Sequence, residues 1–159
     1  MTVAIYPGSF DPITNGHVDI LRRGAEIFDK VIAAVAYNPN KTGLLPVEIR
    51  LELIKKCIAD IPNAEADCFE GLTVEYAKKR GAEVLLRGLR TSADFEYERQ
   101  LSQINRTLDS SIKTVFLIAK PEYGFISSTS VRELLINKGD ISKFVPQEAA
   151  EYLADIYGI

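Results

Sequence analysis

The stretch "VAIYPGSFDPITNGHVDILRRG", residues 3–24, joins a short apolar run, a loop rich in glycine and proline, and the start of a helical pattern. The run Val3–Tyr6 is typical of a buried strand, and the apolar spacing after His17 predicts a helix. A strand, a loop and a helix in this order form the repeating unit of α/β folds. His17 is the only histidine in the chain, and it follows a glycine where that helix is expected to begin.

The alternation of strand and helix continues along the chain. Apolar runs predict strands at Val3–Tyr6, Val31–Tyr37, Ala64–Phe69, Glu83–Arg87 and Thr114–Ala119. Helical periods are predicted at residues 17–29, 47–60, 73–80, 92–109, 129–137 and 147–157. The strand runs are nearly continuous, as expected for parallel strands buried on both faces. We therefore predict one domain over residues 1–159: an α/β fold with a doubly wound, five-stranded parallel sheet and helices on both faces.

Two helices carry more detailed expectations. In the helix at 92–109, an apolar stripe is expected to pack against the core; it comprises Tyr97, Leu101, Ile104 and Leu108. The polar stripe of the same helix leaves two interpretations open, a solvated face or the presentation of Glu98 to a ligand. Farther along the chain, residues 130–133 have the spacing of a capping box, which is typical of a helix N-terminus.

Composition excludes several classes of protein. The 159 residues are 47% hydrophobic and 26% charged, which is ordinary for a globular domain. A net charge of −3 argues against general nucleic-acid or membrane partners, so an anionic ligand would need local basic residues. Cys57 and Cys68 lack metal-ligand spacing and are expected to be buried thiols in a reducing compartment. No secretory signal or membrane-length apolar run is apparent, so we expect a cytoplasmic location.

Residue types that bind phosphate follow the predicted strands. Gly8 and Ser9 follow the first strand, Lys41 follows the second, and Arg87 and Arg90 lie at the end of the fourth. Ligands of doubly wound sheets bind beyond the carboxyl ends of the strands, and arginine forks match phosphate oxygens. The alternative is that the arginines pair with the acidic residues at positions 94, 96 and 98.

Two further features suit a phosphate ligand. Four consecutive hydroxyl residues, 127–130, exceed what one helix cap requires, although capping alone remains the alternative. A helix N-terminus with exposed amides favours an anion. His17, in the first helical turn, can donate a ring N–H to a phosphoryl oxygen, although a lone histidine is more often a surface or core residue.

Three motifs resemble known nucleotidyltransferases. Gly8-Ser9-Phe10-Asp11-Pro12 followed by Thr14-Asn15-Gly16-His17 is similar to the (H/T)xGH signature of the nucleotidyltransferase superfamily. Ile126-Ser127-Ser128-Thr129 with Val131-Arg132 resembles its ISSTxxR-type signature. Arg87-Gly88-Leu89-Arg90 followed by residues 94–98 (DFEYE) resembles a narrower family, the bacterial phosphopantetheine adenylyltransferases. The resemblance extends over essentially the whole chain.

The resemblance implies a Rossmann-like nucleotidyltransferase fold and an enzyme of coenzyme A biosynthesis. Its reaction would transfer the adenylyl group of ATP to 4′-phosphopantetheine, giving dephospho-coenzyme A and pyrophosphate. The substrate's own phosphate would attack in line, so no general base is needed. The resemblance also implies Mg²⁺ held mainly through ATP phosphates rather than by protein ligands. A homohexamer and feedback by coenzyme A are further implications.

The same resemblance assigns roles to individual residues. The implied catalytic residues are His17, Lys41 and Arg90. The residues implied in ATP binding are Ser9, Phe10, His17, Gly88, Leu89, Arg90, Glu98, Tyr123, Gly124, Phe125, Ile126, Ser127, Ser128 and Thr129. Those implied in 4′-phosphopantetheine binding are Ser9, Lys41, Thr73 and Arg87.

Two other functions stay open at the level of sequence. A sister nucleotidyltransferase with a cytidylyl or nicotinamide-mononucleotide product is disfavoured by the segment at 87–98. A non-catalytic sensor of nucleotide or coenzyme A is disfavoured because both phosphate motifs are intact.

Overall fold

The computed structural model describes residues 1–159 and contains one parallel sheet. Its strands are β1 (Val3–Gly8), β2 (Lys30–Ala36), β3 (Ala64–Phe69), β4 (Val84–Leu89) and β5 (Lys113–Ile118). Their order in the sheet is β3-β2-β1-β4-β5, and every neighbouring pair is parallel. The predicted five-stranded parallel sheet is confirmed.

Six helices connect or follow these strands. They are α1 (Asn15–Ile27), α2 (Val47–Cys57), α3 (Thr73–Lys79), α4 (Ser92–Leu108), α5 (Ser128–Ile136) and α6 (Gln147–Tyr157). A short 3₁₀ turn, Pro121–Tyr123, precedes α5. None of the helices combines the length and the apolar character needed to cross a bilayer.

The sheet is covered on both faces, but unequally. Alternate residues of β1 point to opposite faces: Ala4 and Tyr6 join a cluster of 23 buried residues, and Val3 and Ile5 join a second cluster of 11. The larger cluster includes side chains of α1, α2, α5 and α6. Only α3 contributes helical side chains to the smaller one. Burial on both faces explains the continuous apolar runs of the strands.

Helix α4 contradicts the prediction of a packed apolar stripe. Tyr97, Ile104 and Leu108 are 66%, 57% and 54% exposed. The one buried residue of α4 is Glu98, which forms a salt bridge with Arg87 of β4. The polar stripe of α4 faces the sheet because this ion pair draws it inward, and the apolar stripe is turned outward.

Helix α5 begins within one residue of the prediction, but the capping box expected at residues 130–133 does not form. Ser127 is extended (φ −136°, ψ 154°), and its Oγ accepts a hydrogen bond from the Ser130 N–H at 3.1 Å. Ser127 is therefore the N-cap, and Ser130 lies within the first turn.

The expectation of buried thiols is confirmed for one of the two cysteines. Both are free, Cys57 is buried, and Cys68 is only half-buried. Burial raises the pKa of the Cys57 thiol to about 12.

Close packing of α1 on the sheet positions the loop that follows β1. A Cβ added at Gly24 would lie 2.5 Å from the Leu86 side chain, so the glycine lets α1 approach β4. The strand order reverses between β1 and β4, and both neighbours run in the same direction. The N-terminus of α1 therefore lies at the carboxyl ends of β1 and β4, where doubly wound folds bind ligands.

Candidate active site

His17 is fixed by the cap of its own helix. Thr14 is the N-cap of α1: its Oγ1 accepts from the His17 N–H at 3.3 Å, and its own N–H donates to His17 Nδ1 at 3.0 Å. This is a reciprocal capping box in which histidine takes the place usually held by Glu or Gln. The helix starts two residues earlier than predicted because Thr14 supplies this cap.

The same contacts define the protonation state of the His17 ring. Since Thr14 N–H donates to Nδ1, the neutral ring carries its hydrogen on Nε2. Burial, together with the charges of Arg90 and Arg87, lowers the pKa of His17 from 6.5 to about 4. At neutral pH the side chain is therefore an uncharged donor with Nε2–H left for a ligand.

His17 lines a cavity of about 320 Å³ at the carboxyl ends of β1 and β4, called the His17 cavity below. Eleven residues implied in ATP binding line it: Ser9, Phe10, His17, Gly88, Arg90, Glu98, Tyr123, Ile126, Ser127, Ser128 and Thr129. Leu89, Gly124 and Phe125, which were also implied, do not. The Phe125 side chain is instead 69% exposed and packs edge-on against Phe144.

A second cavity of about 560 Å³ adjoins the first and is called the Lys41 cavity. It contains all four residues implied in 4′-phosphopantetheine binding, namely Ser9, Lys41, Thr73 and Arg87. Ser9 and Arg87 line both cavities, whereas Lys41 does not line the His17 cavity. The three implied catalytic residues are thus divided between two adjoining cavities.

Both arginines at the end of β4 have partners within the chain. Arg87 donates from Nε to Glu98 at 2.8 Å, and its Nη1 donates to the Pro7 carbonyl. Burial opposes the charge of Arg87, but the hydrogen bonds to Glu98 and its negative charge, with smaller contributions from Tyr6 and Tyr97, together outweigh burial and raise the Arg87 pKa. Arg90 lies 3.4 Å from Asp94 and donates to the Ile126 carbonyl at 2.8 Å. Both arginines therefore pair with acidic residues of α4, as the alternative interpretation of the sequence predicted. The two ion pairs, Arg87–Glu98 and Arg90–Asp94, nevertheless line the His17 cavity.

Hydroxyl residues at the start of α5 tie this helix to the loop after β1. Ser128 Oγ donates to the Pro12 carbonyl at 2.8 Å. Arg132 donates to the Asp11 carbonyl at 3.0 Å and to Thr129 Oγ1 at 3.0 Å. Sequence reasoning left Arg132 out of the site, although it closes the second signature and lines the cavity. Capping thus explains Ser127 only, and Ser128 and Thr129 fix the geometry of the cavity wall.

Potential metal ligands are few. No group of three or more His, Cys, Asp or Glu side chains is arranged to hold a metal ion. The carboxylates that line the His17 cavity, Asp94 and Glu98, both form salt bridges with arginines.

A larger cavity of about 790 Å³ lies beside α6, and none of the predicted site residues lines it.

Comparison with known families identifies the class of protein. Residues 5–134 match the family described as cytidylyltransferase-like. The match includes the loop after β1, Arg87 and Arg90 at the end of β4, and the start of α5, all of which line the His17 cavity. The chain is therefore a nucleotidyltransferase of this class.

Full-length relatives define the family more narrowly. The chain is 51% identical over 155 residues to the phosphopantetheine adenylyltransferase of Caldanaerobacter subterraneus subsp. tengcongensis. This alignment covers 98% of this chain and 97% of the relative. It is 53% identical over 152 residues to that of Synechococcus elongatus, covering 96% of this chain and 92% of the relative. The chain belongs to the phosphopantetheine adenylyltransferase family.

Proposed function

We propose that this chain transfers the adenylyl group of ATP to 4′-phosphopantetheine, giving dephospho-coenzyme A and pyrophosphate. One observation carries the proposal: two adjoining cavities share Ser9 and Arg87, and one is lined by most of the residues expected for ATP and the other by all four expected for 4′-phosphopantetheine. ATP would occupy the His17 cavity, and 4′-phosphopantetheine the Lys41 cavity. The shared wall would then bring the two reacting phosphates together.

The reaction needs positioning and charge stabilisation rather than a base. The attacking phosphate monoester is already anionic at neutral pH, so no proton has to be removed from it. The new bond forms between its oxygen and the α-phosphorus of ATP, and the bond from that phosphorus to pyrophosphate breaks. Negative charge grows on the α-phosphate oxygens and on the leaving group, where preorganised donors have their largest effect.

The residues of the His17 cavity supply such donors. His17 Nε2–H would donate to the α-phosphate, since Nδ1 is held by Thr14. Arg90 and the N-terminus of α5 would stabilise the pyrophosphate, because the helix dipole is positive there. Lys41 and Arg87 would hold the attacking phosphate from the Lys41 cavity. Each role is an electrostatic one, and no covalent intermediate is required.

Mg²⁺ would enter with ATP. The carboxylates lining the His17 cavity are paired with arginines, so the ion would be coordinated by phosphate oxygens and water. When bound, it would neutralise part of the triphosphate charge.

Pyrophosphate release tests this function directly. The purified chain is assayed with ATP plus 4′-phosphopantetheine, with ATP plus nicotinamide mononucleotide, and with CTP plus glycerol 3-phosphate. We expect release with the first pair and, under the same conditions, dephospho-coenzyme A as the second product. Turnover with one of the other pairs alone would reject the assignment, and binding of ATP without turnover of any pair would favour a sensor.

We further infer that the chain forms a homo-oligomer, for which the family resemblance suggests a homohexamer. The outward apolar stripe of α4 supports this, because side chains such as Tyr97 and Ile104 are rarely left so exposed together on a monomer. Light scattering measures the mass in solution. A monomer at micromolar concentration would overturn the inference, and Ile104→Asp is expected to lower the mass of an oligomer.

Coenzyme A is proposed as a feedback ligand of the Lys41 cavity, because it contains the same phosphopantetheine arm. It should then raise the apparent KM for 4′-phosphopantetheine competitively. Inhibition that is purely non-competitive towards this substrate would place coenzyme A elsewhere.

A further inference from the structure

The loop between β2 and α2 carries Lys41, and a single buried carboxylate holds its second half. Asp11 Oδ2 accepts the Leu44 N–H at 2.8 Å, and Asp11 Oδ1 accepts the Leu45 N–H at 2.8 Å. Asp11 lies in the loop after β1 and is only 5% exposed. Both carboxylate oxygens are thus committed to backbone 33 and 34 residues away along the chain.

A buried arginine holds the same two segments. Arg50 of α2 is 6% exposed and lies 3.7 Å from Asp11 Oδ1. Its Nε donates to the Leu45 carbonyl at 2.8 Å, and its Nη1 donates to the Ser9 carbonyl at 3.2 Å. Since an unpaired buried charge is costly, each member of the pair requires the other.

The backbone of Asp11 is in turn fixed from α5. Arg132 donates to the Asp11 carbonyl at 3.0 Å, and Ser128 donates to the adjacent Pro12 carbonyl. Asp11 therefore connects the wall of the His17 cavity, through its main chain, to the Lys41 loop, through its side chain.

Gly43 leaves room for this arrangement. A Cβ at this position would lie 2.3 Å from Arg50 Nη2 and 2.6 Å from Asp11 Oδ2. Both of those side chains are buried, so neither can swing away into solvent. Any larger residue at 43 must displace the loop or separate the ion pair.

We propose that Asp11, paired with Arg50, is a positioning residue for Lys41: it fixes the Lys41 loop relative to the phosphate-binding wall of the His17 cavity. The contribution of Lys41 to binding rests on the proposed function. The positioning itself is a property of the chain without substrate. Asp11 does not need to touch either substrate for this role.

Steady-state kinetics with two different variants test the proposal. Asp11→Asn removes the charge and replaces one acceptor by a donor, and Gly43→Ala keeps both charges but crowds the pair. For each, we expect the KM for 4′-phosphopantetheine to rise about tenfold, the effect of one lost charge-assisted hydrogen bond. The KM for ATP should change less than about twofold by the same scale. Asp67→Asn is the matched control, because Asp67 also accepts a backbone N–H and an arginine but lies on β3 outside both cavities.

A double-mutant cycle with Lys41→Ala shows whether Asp11 acts through Lys41. If it does, adding Gly43→Ala or Asp11→Asn to Lys41→Ala should change the KM less than about twofold. The same tenfold factor in the Lys41→Ala background, or equal rises in both KM values, would overturn the proposal. Asp11→Asn leaves Arg50 unpaired and can prevent folding. If that variant does not fold, the KM values of Gly43→Ala alone decide between these outcomes.

Hydrogen exchange separates this proposal from the proposed function. In the substrate-free protein, the Leu44 and Leu45 amides should exchange slowly, and faster in Gly43→Ala than in Asp67→Asn. Fast exchange of both amides in the unmodified chain would reject the positioning role, whatever the enzyme turns over. Slow exchange in a chain that does not turn over 4′-phosphopantetheine would reject the proposed function, and with it the expected change in KM. Only the attachment of the Lys41 loop to Asp11 would then stand.

Discussion

The His17 cavity and the Lys41 cavity share a wall but are built differently. In the first, each basic side chain has a partner: His17 with Thr14, Arg90 with the Ile126 carbonyl, and Arg132 with the Asp11 carbonyl. In the second, the Lys41 side chain is exposed and forms no hydrogen bond or salt bridge within the chain. One cavity is preorganised by internal contacts, whereas the other leaves its ammonium free for a ligand.

This difference suits the two substrates proposed for them. Groups that stabilise charge developing in a transition state act best when they are already oriented. A group that captures a phosphate monoester needs reach and a point charge, which a lysine on a loop provides. Variants in the His17 cavity should therefore affect mainly kcat, and variants in the Lys41 cavity mainly KM.

The largest expected effect is the loss of His17. His17→Ala should lower kcat by about 10²–10³-fold, the range for removing one preorganised donor, while the Kd for ATP changes little. His17→Gln is the matched control, because glutamine at this position keeps the capping box. We expect it to restore helix stability and only part of kcat, since its amide N–H can still donate but without the fixed position of Nε2–H. Equal losses in kcat and in ATP affinity would instead assign His17 to ground-state binding.

The next largest effect is on the free energy of unfolding, which should depend on pH because His17 is held neutral in the folded chain. The pKa of His17 is 6.5 ordinarily and about 4 in the folded chain. Between these values the unfolded state binds more protons, so the free energy of unfolding falls as the pH is lowered. The contribution is complete above pH 6.5, declines below it, and is lost below about pH 4.

Denaturant unfolding of the unmodified chain and of His17→Gln measures this contribution. Between pH 7 and pH 5, the unmodified chain should lose about 2 kcal/mol more than the variant. Carboxylates titrate mostly below this window and contribute to both chains alike. Parallel pH profiles would mean that His17 is not held neutral by its surroundings.

The sequence predicted the fold well because the fold depends on local patterns. Continuous apolar strands and intervening helices lead directly to the parallel sheet, and strand ends lead to Ser9, Lys41 and Arg90. The role of Asp11 was not predictable in this way, since its partners Leu44 and Leu45 are distant in the chain. The orientation of α4 failed for a related reason. The ion pair between Arg87 and the buried Glu98 turns the polar stripe toward the sheet and leaves the apolar stripe exposed, which the spacing of apolar residues alone does not reveal.

The smallest expected effect is the exchange of one basic residue for the other. Lys41→Arg should change the KM for 4′-phosphopantetheine less than about threefold, because the exposed ammonium has no internal geometry to lose. Arg90→Lys should have a larger effect and lower kcat about tenfold. The guanidinium of Arg90 can contact the Ile126 carbonyl, Asp94 and a phosphate together, whereas the single ammonium of a lysine cannot. Steady-state kinetics on both variants compares the two cavities on equal terms. If Lys41→Arg proves the more damaging exchange, then the Lys41 cavity is the more rigid of the two, and internal partners are not what preorganises a phosphate-binding group in this chain.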